Sequence, residues 1–439
     1  MYYEQDFLKK FKKYERQTED RIALGIEQNR KGWGEFTVVG ENGIPVEGAK
    51  ISVCQTSHEF KYGCNLFMLD ELETEEKNRL YKEYVKEIAN MVTLPFYWNA
   101  TEPEEGKTRY AKDSPKMYRR PAIDLCMEFC EENGIEPREH GLAYPYFFPK
   151  WLHNAPEKEI KKHYEKRCKE ISERYADKIN CIEVVNEMFW PKDRLFKFYS
   201  DKDFVEWCFK MADRYFPYNK LAINESIKVW EDGKMKVAYF EMIRNLINNG
   251  TRVDSVGLHY HMFFKEENAI KDTAKYYDPQ NLWDTMDWYA RLGRPLQISE
   301  VTIPAYSEHP ESEKLQAELL RRVCRIWFAH PAVEQIIYWN LVDGYAHGAR
   351  PGDMTKGENV YYGGLLRFDM TPKPAFYVFK NLFEKEWHTE ECTFTDSDGY
   401  ALFKGFYGDY TVKVEFGGKV SEHNIKLSKE LFNKYKIQL

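Results

Sequence analysis

Two glutamates stand where packing gives no reason for a charge. Glu187 ends the apolar run CIEVVNE (181–187), and Glu300 ends PLQISE (295–300). A carboxylate at the polar end of a buried strand is a reactive group on a rigid support. Two of them across a cleft can cut a glycosidic bond. One protonates the leaving oxygen, and the other attacks the anomeric carbon or activates water. A separation of about 5–5.5 Å serves retention and about 6.5–9.5 Å serves inversion, and a sequence carries no such distance.

Other chemically capable side chains end similar runs: Tyr97 and Trp98, His140 and Tyr144, Asn186, Asn224 and Glu225, His259 and His261, then Trp339, Asn340 and Asp343. The set is rich in carboxylates, imidazoles and aromatic rings. It holds no dense Lys or Arg cluster of the kind a phosphate needs. Glu225, in INES, reads as a group supporting the reacting residues from behind or as a strand-end salt-bridge partner. Asn186, beside Glu187, is suited to hydrogen-bond a sugar hydroxyl. His259 and His261 lie two apart and face one side of a strand, so one of them can orient Glu300. Three histidines and a carboxylate also invite a metal-dependent, amidohydrolase-like reading. The His-x-His of that class belongs on the first strand, where this chain has Tyr62, Cys64 and Asn65. We therefore expect neither a metal nor a cofactor.

These residues need a frame. From 61 to about 384 a short apolar strand followed by a charged amphipathic helix recurs. The strand candidates are 61–67, 89–98, 139–145, 181–187, 221–226, 253–261, 295–301 and 334–344. Helical patterns such as TEEKNRLYKEYVKEI (74–88) and LQAELLRRVCRIWFAH (315–330) separate them. The pattern predicts an α/β fold, a (β/α)8 TIM barrel, whose site lies at the C-terminal ends of its strands. A doubly wound open sheet is the competitor. It would need fewer strands or a glycine-rich phosphate turn, and neither GxGxxG nor GxxxxGK[ST] occurs.

The flanks have a different period. Residues 4–30 predict a helix, and 34–60 predict strands on a hairpin around Glu41-Asn42-Gly43. The tail, 394–419, alternates again, with turns at Asp398-Gly399, Gly408-Asp409 and Gly417-Gly418. Each piece alone is hard pressed to bury a core. The two together look like halves of one transthyretin-like or carboxypeptidase-regulatory-like domain. The expected organisation is a helix and the first part of a β-sandwich (1–60), the barrel (61–384), and the second part of the sandwich (385–439). Separate packing of each piece on the barrel is the alternative.

Composition limits the function classes. A net charge of -7 leaves no basic surplus for nucleic acid. No run approaches the length of a membrane span, so no membrane partner is expected. Aromatics reach 16%. Core packing uses most such rings, and a carbohydrate cleft would use the rest. The nine cysteines are scattered and odd in number, which fits a reducing compartment or an anaerobic host. The start, MYYEQDFLKKFKK, lacks the apolar stretch of a signal peptide, so the expectation is cytoplasmic, or secreted if a leader has been removed.

The motifs resemble glycoside hydrolase family 10, the retaining endo-β-1,4-xylanase family. The resemblance runs over about 58–384 through VTLPFYWNATEPEEGK (92–107), REHGLAYPYFFPKWL (138–152), IEVVNEMFW (182–190), VGLHYHMF (256–263), LQISEV (296–301), IIYWNLVDGYAHG (336–348) and GGLLRFDMTPKPAFYVF (363–379). It implies that Glu187 is the general acid/base and Glu300 the nucleophile. It also implies that His140 and Asn186 bind sugar, that His261 supports the nucleophile, and that Trp339 packs over the cleaved sugar. Departures cluster on the side of the sugars before the cut. Leu94, Pro95 and Tyr97 stand where the family has glutamate, asparagine and lysine. Tyr144 and Pro145 replace a tryptophan and a histidine, His259 a glutamine, and Thr302 an aspartate.

The expected function is retaining hydrolysis of β-1,4-linked xylan or xylo-oligosaccharides. Tyr97, His140, Tyr144, Asn186, His259, His261 and Trp339 form the expected substrate-binding set. The alternatives are hydrolysis of another β-glycan and a catalytically inactive carbohydrate-binding barrel.

Overall fold

A computed structural model describes residues 6–189, 197–201 and 203–439. Residues 4 and 5 of the expected first helix lie outside these. Strands β1 (Lys31–Val39) and β2 (Lys50–His58) precede the barrel. The barrel strands are β3 (Lys61–Asn65), β4 (Met91–Pro95), β5 (Glu136–His140), β6 (Cys181–Asn186), β7 (Lys220–Glu225), β8 (Ser255–His261), β9 (Leu296–Thr302) and β10 (Val333–Tyr338). All pair in parallel, and β10 closes on β3. The tail adds β11 (Glu390–Phe394), β12 (Tyr400–Phe406), β13 (Gly408–Phe416), β14 (Lys419–Leu427) and β15 (Lys434–Gln438).

The barrel follows from its sequence pattern. Strands β4, β6 and β9 are buried along their whole length, as expected when helices cover one face and barrel side chains fill the other. Helix Glu75–Ile88 starts at Thr74, whose side chain accepts from the Lys77 amide at 3.2 Å. Its buried Tyr81, Val85 and Ile88 recur at helical spacing. Helix Pro310–Ala329 opens on proline, which has no amide proton to leave unpaired. The N-terminal helix Glu15–Asn29 lies against it. A Cβ on Gly25 would stand 2.5 Å from the Ala329 carbonyl oxygen, so only glycine permits this approach.

The flanks join in one accessory sandwich. One sheet has the order β12-β1-β15 and the other β11-β2-β13-β14, so each head strand is paired with tail strands. Its core holds Phe36, Val38, Ile51, Val53, Phe403, Val412 and Val414. The expected hairpin of β1 with β2 does not form. The turn exists, with the Gly40 amide donating to the Ile44 carbonyl at 2.9 Å. A single bridge, Val39 to Pro45, follows it. Pro45 has no amide to extend a ladder, and the chain crosses to the opposite sheet.

Barrel strand β5 also differs from its expected bounds. It spans Glu136–His140 rather than 139–145. Beyond it Gly141 passes Glu183, and Pro145 opens a 3-10 turn, Pro145–Phe147. The proline ends any ladder there, while Pro137 is tolerated near the strand's start.

Because β2 ends at His58 and β3 begins at Lys61, the sandwich abuts the N-terminal ends of the barrel strands. Arg30 fixes this junction, donating to the carbonyls of Phe328, His330 and Val333. Phe328 stacks on Trp387 at 3.8 Å. The opposite, C-terminal end of the barrel is left for chemistry. Among the described residues no helix is long and apolar enough to cross a membrane.

Candidate active site

The C-terminal ends of six strands meet around two carboxylates. Glu300 lies within β9, and Glu187 follows the last residue of β6. The backbone of Glu187 turns into the left-handed region (φ 47°), which swings its side chain off the strand's alternation. Both are buried, with 10% and 7% of their side chains exposed.

Glu300 is surrounded by imidazoles. His261 Nε2 lies 2.9 Å from Oε2. His259 Nε2 lies 3.2 Å from Oε1, without the alignment of a hydrogen bond, and His140 Nε2 lies 3.6 Å from the same oxygen. Thr302 donates its only hydroxyl proton to the Trp339 carbonyl at 3.1 Å. It is thereby left to accept from His261 Nδ1 at 2.9 Å, and that bond turns Nε2 toward Glu300. Here Thr302 performs the orienting task at the position where the resemblance puts an aspartate.

Glu187 is held by two donors. Tyr144 donates its hydroxyl to Oε2 at 2.5 Å, and His259 Nδ1 reaches Oε1 at 3.1 Å. His259 therefore bridges the two carboxylates. Burial works to lower its pKa, but Glu300 and Glu187 outweigh burial and raise it to about 9. Glu225 sits behind Glu187 and accepts from the amides of Ser226 at 2.7 Å and Phe189 at 3.2 Å. Burial, and then the charge of Glu187, push its pKa up to about 7. It makes no ion pair among the described residues, so of its two expected roles the place behind Glu187 is the one the structure shows.

Beneath this pair lies a buried ionic network. Arg138 Nη1 stands 2.7 Å from Glu183 Oε2, and His140 Nδ1 stands 2.7 Å from Oε1. Asn224 donates to the same carboxylate. Burial alone would raise the Glu183 pKa, but His140 and Arg138 hold it below the usual range. With Nδ1 donating to Glu183, His140 Nε2 accepts from the Tyr97 hydroxyl at 2.8 Å. Tyr97 stacks on Phe147 at 4.1 Å, and Trp339 meets Phe67 and His140 edge-on at 4.9 and 5.3 Å. Asn186 is buried, and its Oδ1 has no partner among the described residues.

The structure thus brings all nine expected residues to one end of the barrel. Tyr97, one of the expected substrate-binding residues, is 3% exposed and hydrogen-bonds to His140. Glu183 and Arg138 were missed. The signal for Glu183 was its place four residues before Glu187 in the same strand. Away from the strand ends, a loop brings Arg120 over the Tyr97 ring, with Arg119 next to it in the chain. One set of side chains here could hold a metal ion: His259, His261 and Glu300 each offer an atom within 4.8 Å of the others. Such an ion would occupy the oxygens with which Glu300 would attack.

Comparison with known proteins agrees with this geometry. The model of glycosyl hydrolase family 10 matches residues 58–382. The anti-sigma-I factor RsgI6 of Acetivibrio thermocellus is 24% identical over 408 residues, covering 91% of this chain and 47% of its own length. Endo-1,4-beta-xylanase 2 of Arabidopsis thaliana is 24% identical over 380 residues, covering 84% of this chain and 31% of its own length. The chain spans less than half the length of these two relatives. The crystal structure of xylanase 10B from Thermotoga petrophila RKU-1 in complex with xylobiose has the same fold. Its TM-score is 0.59 at 22% identity, covering 75% of this chain and 95% of the other.

Proposed function

The chain belongs to glycosyl hydrolase family 10, and from that premise we propose that it hydrolyses β-1,4-linked xylan or xylo-oligosaccharides with retention. Glu187 is the general acid/base and Glu300 the nucleophile. Glu187 gives its proton to the glycosidic oxygen as a Glu300 oxygen bonds to the anomeric carbon and the carbon–oxygen bond breaks. Glu187, now a carboxylate, takes a proton from water. The water oxygen bonds to the same carbon and releases Glu300. Its proton affinity should be high before the first step and fall once the charge of Glu300 is lost to the ester.

The observation that carries this reading is the single imidazole of His259 set between the two carboxylates, at 3.1 and 3.2 Å. It couples their charges, as a reaction that alternates charge between two groups requires. Asn186 and His140 would bind hydroxyls, Tyr144 would steady Glu187, His261 would fix the attacking oxygen, and Trp339 with Tyr97 would wall the sugar. The reading divides the chain into a barrel (61–384) inserted between the two parts of a sandwich (1–60 and 385–439). The cysteines, all free, support a reducing, cytoplasmic compartment.

The test is product release from xylan, xylo-oligosaccharides and other β-glycans by wild type, Glu187→Ala and Glu300→Ala. NMR would follow the anomeric form first released. Turnover of xylan as the β-anomer, lost in both variants, is the expected result. Turnover surviving both substitutions would overturn the assignment. The alternative reading is a catalytically inactive barrel that binds carbohydrate without cutting it. Binding of xylo-oligosaccharide with no turnover by folded wild type would select it.

A further inference from the structure

A cavity of about 610 Å³ opens among the loops that follow β4 and β10, and its lining is cationic. Arg119 and Arg120 reach it from the loop between β4 and β5, and Arg350 and Lys356 from the segment after β10. Four permanent cations face one carboxylate in this lining, Asp353, which Lys356 approaches at 3.8 Å.

The two inner arginines are buried, at 4% and 8% exposure. Arg119 donates through Nη1 to Asn340 Oδ1 at 3.0 Å and to the Tyr345 carbonyl, and its buried Nε has no partner. Its backbone lies in the left-handed region (φ 62°), an uncommon conformation for a long side chain. The Arg120 guanidinium donates from Nη1 to the Arg119 carbonyl at 2.7 Å, its one hydrogen bond among the described residues. Other buried arginines differ. Arg30, Arg109 and Arg167 each spread at least three hydrogen bonds over neighbouring acceptors.

Arg120 is also fixed in place. Its guanidinium lies over the rings of Tyr97, Phe147 and Phe67 at 4.3, 5.1 and 5.2 Å. Burial lowers its pKa to about 9, with Tyr97 acting in the opposite direction. The nearby carboxylate, Glu358, is engaged elsewhere, accepting from Asn340 Nδ2 and the His347 amide at 3.3 Å each. Among the described residues neither Arg119 nor Arg120 forms an ion pair. A buried guanidinium short of acceptors costs free energy until an anion satisfies it. Tyr97, on which Arg120 lies, bonds His140, which stands 3.6 Å from Glu300. The cavity is therefore two side chains from the reacting centre.

We propose that this cavity receives the carboxylate of a uronic acid carried by the glycan chain. The planar fork of Arg120 matches a carboxylate, the rings beneath it hold that fork in place, and Arg119 with the outer pair Arg350 and Lys356 supplies further positive charge. The inference rests on the hydrolase reading given above and narrows its substrate to acidic glycans.

The experiment compares a xylo-oligosaccharide bearing one glucuronic acid branch with the same molecule after reduction of its carboxyl to an alcohol. Wild type should favour the acidic form about tenfold in kcat/KM, the effect of one charge-assisted hydrogen bond. In Arg120→Gln that ratio should fall close to one, whatever the absolute rates. In Arg350→Gln, a substitution at the open rim, it should fall in part. A ratio near one in wild type, or a ratio untouched by Arg120→Gln, overturns the proposal. If wild type cuts neither oligosaccharide, the xylanase reading has failed and binding decides the proposal. Glu300→Gln protein is then titrated with glucuronate and with glucose by NMR. Selective glucuronate binding that Arg120→Gln abolishes keeps the anion site, and equal or absent binding removes it.

Discussion

Strands β6 and β9 leave the barrel through Glu187 and Glu300, whereas β2 and β13 cross the sandwich as Ile51 and Val53 paired with Val414 and Val412. In the sandwich the alternation of strand side chains matches burial, and its positive-φ positions from Gly399 to Gly418 are all glycine. At the mouth Glu187, Asn340 and Arg119 take positive φ without being glycine, at 47°, 50° and 62°. Buried polar atoms there, Asn186 Oδ1, Ser299 Oγ and Arg119 Nε, lack partners. Each such backbone departure costs about 1–3 kcal/mol and persists only where surrounding packing enforces it. Local preference shapes the sandwich. At the mouth, the barrel holds groups against that preference.

The sharpest way to break this contrast is to remove chemistry while keeping packing. Glu300→Gln changes one oxygen and should lower kcat by about 10⁴-fold or more, since no covalent intermediate can form. Glu187→Gln should lower kcat on xylo-oligosaccharide by about 10²–10⁴-fold. On an aryl xyloside with an acidic leaving group the same variant should form the glycosyl-enzyme almost normally, because that oxygen needs no proton. It should then stall at hydrolysis, giving a burst in stopped-flow release of the phenol. A steady rate with no burst would mean that Glu187 is not the acid.

Stability should separate the two regions next. Arg138→Met leaves the Glu183 carboxylate buried beside His140 with its arginine partner gone, which should cost about 3–5 kcal/mol in urea unfolding. It should also lower kcat, because His140 reaches Glu300 and Tyr97 through that network. Val412→Ala, in the sandwich core, should cost about 2 kcal/mol of stability and leave kcat as in wild type. A large loss of kcat from Val412→Ala in folded protein would show that the sandwich is coupled to the mouth through the Arg30 junction.

The same contrast explains what could be read from the sequence. Strand and helix periods made the barrel legible, because β6 and β9 need continuous burial and the helices between strands need one apolar face. Glu187 and Glu300 were legible because a charge at a strand's end breaks that pattern. Strand partners in the sandwich were less so. Alternation says which face is buried but not which strand lies alongside, so the 34–60 hairpin was expected where Pro45 instead carries the chain between sheets. Arg119 and Arg120 lie in a loop with no periodicity, and only their three-dimensional neighbours Tyr97, Phe67 and Phe147 give them meaning. Glu183 was hidden for a related reason. One buried charge in an apolar run has no visible partner until Arg138 arrives from the neighbouring strand.

The smallest expected effect is the most specific to this chain, because it turns on His259, where the resemblance puts a glutamine. The ring is charged at neutral pH, its pKa raised to about 9 by Glu300 and Glu187 against the opposing effect of burial. A folded-state pKa above the ordinary value of about 6.5 means stability that is fully present below that pH. That stability is lost as pH rises through about 9. Activity should follow. Deprotonation removes the positive charge 3.2 Å from Glu300, so the nucleophile loses a stabilising neighbour. The kcat/KM profile should therefore fall on an alkaline limb near pH 9. His259→Gln keeps a donor amide that does not titrate. It should lower kcat/KM at pH 7 by less than about tenfold, a modest loss for one polar contact, and move the alkaline limb upward or erase it. A limb that stays in place in the variant would assign it to another group at the mouth, and the bridging imidazole would then be positioning the carboxylates without setting their charge.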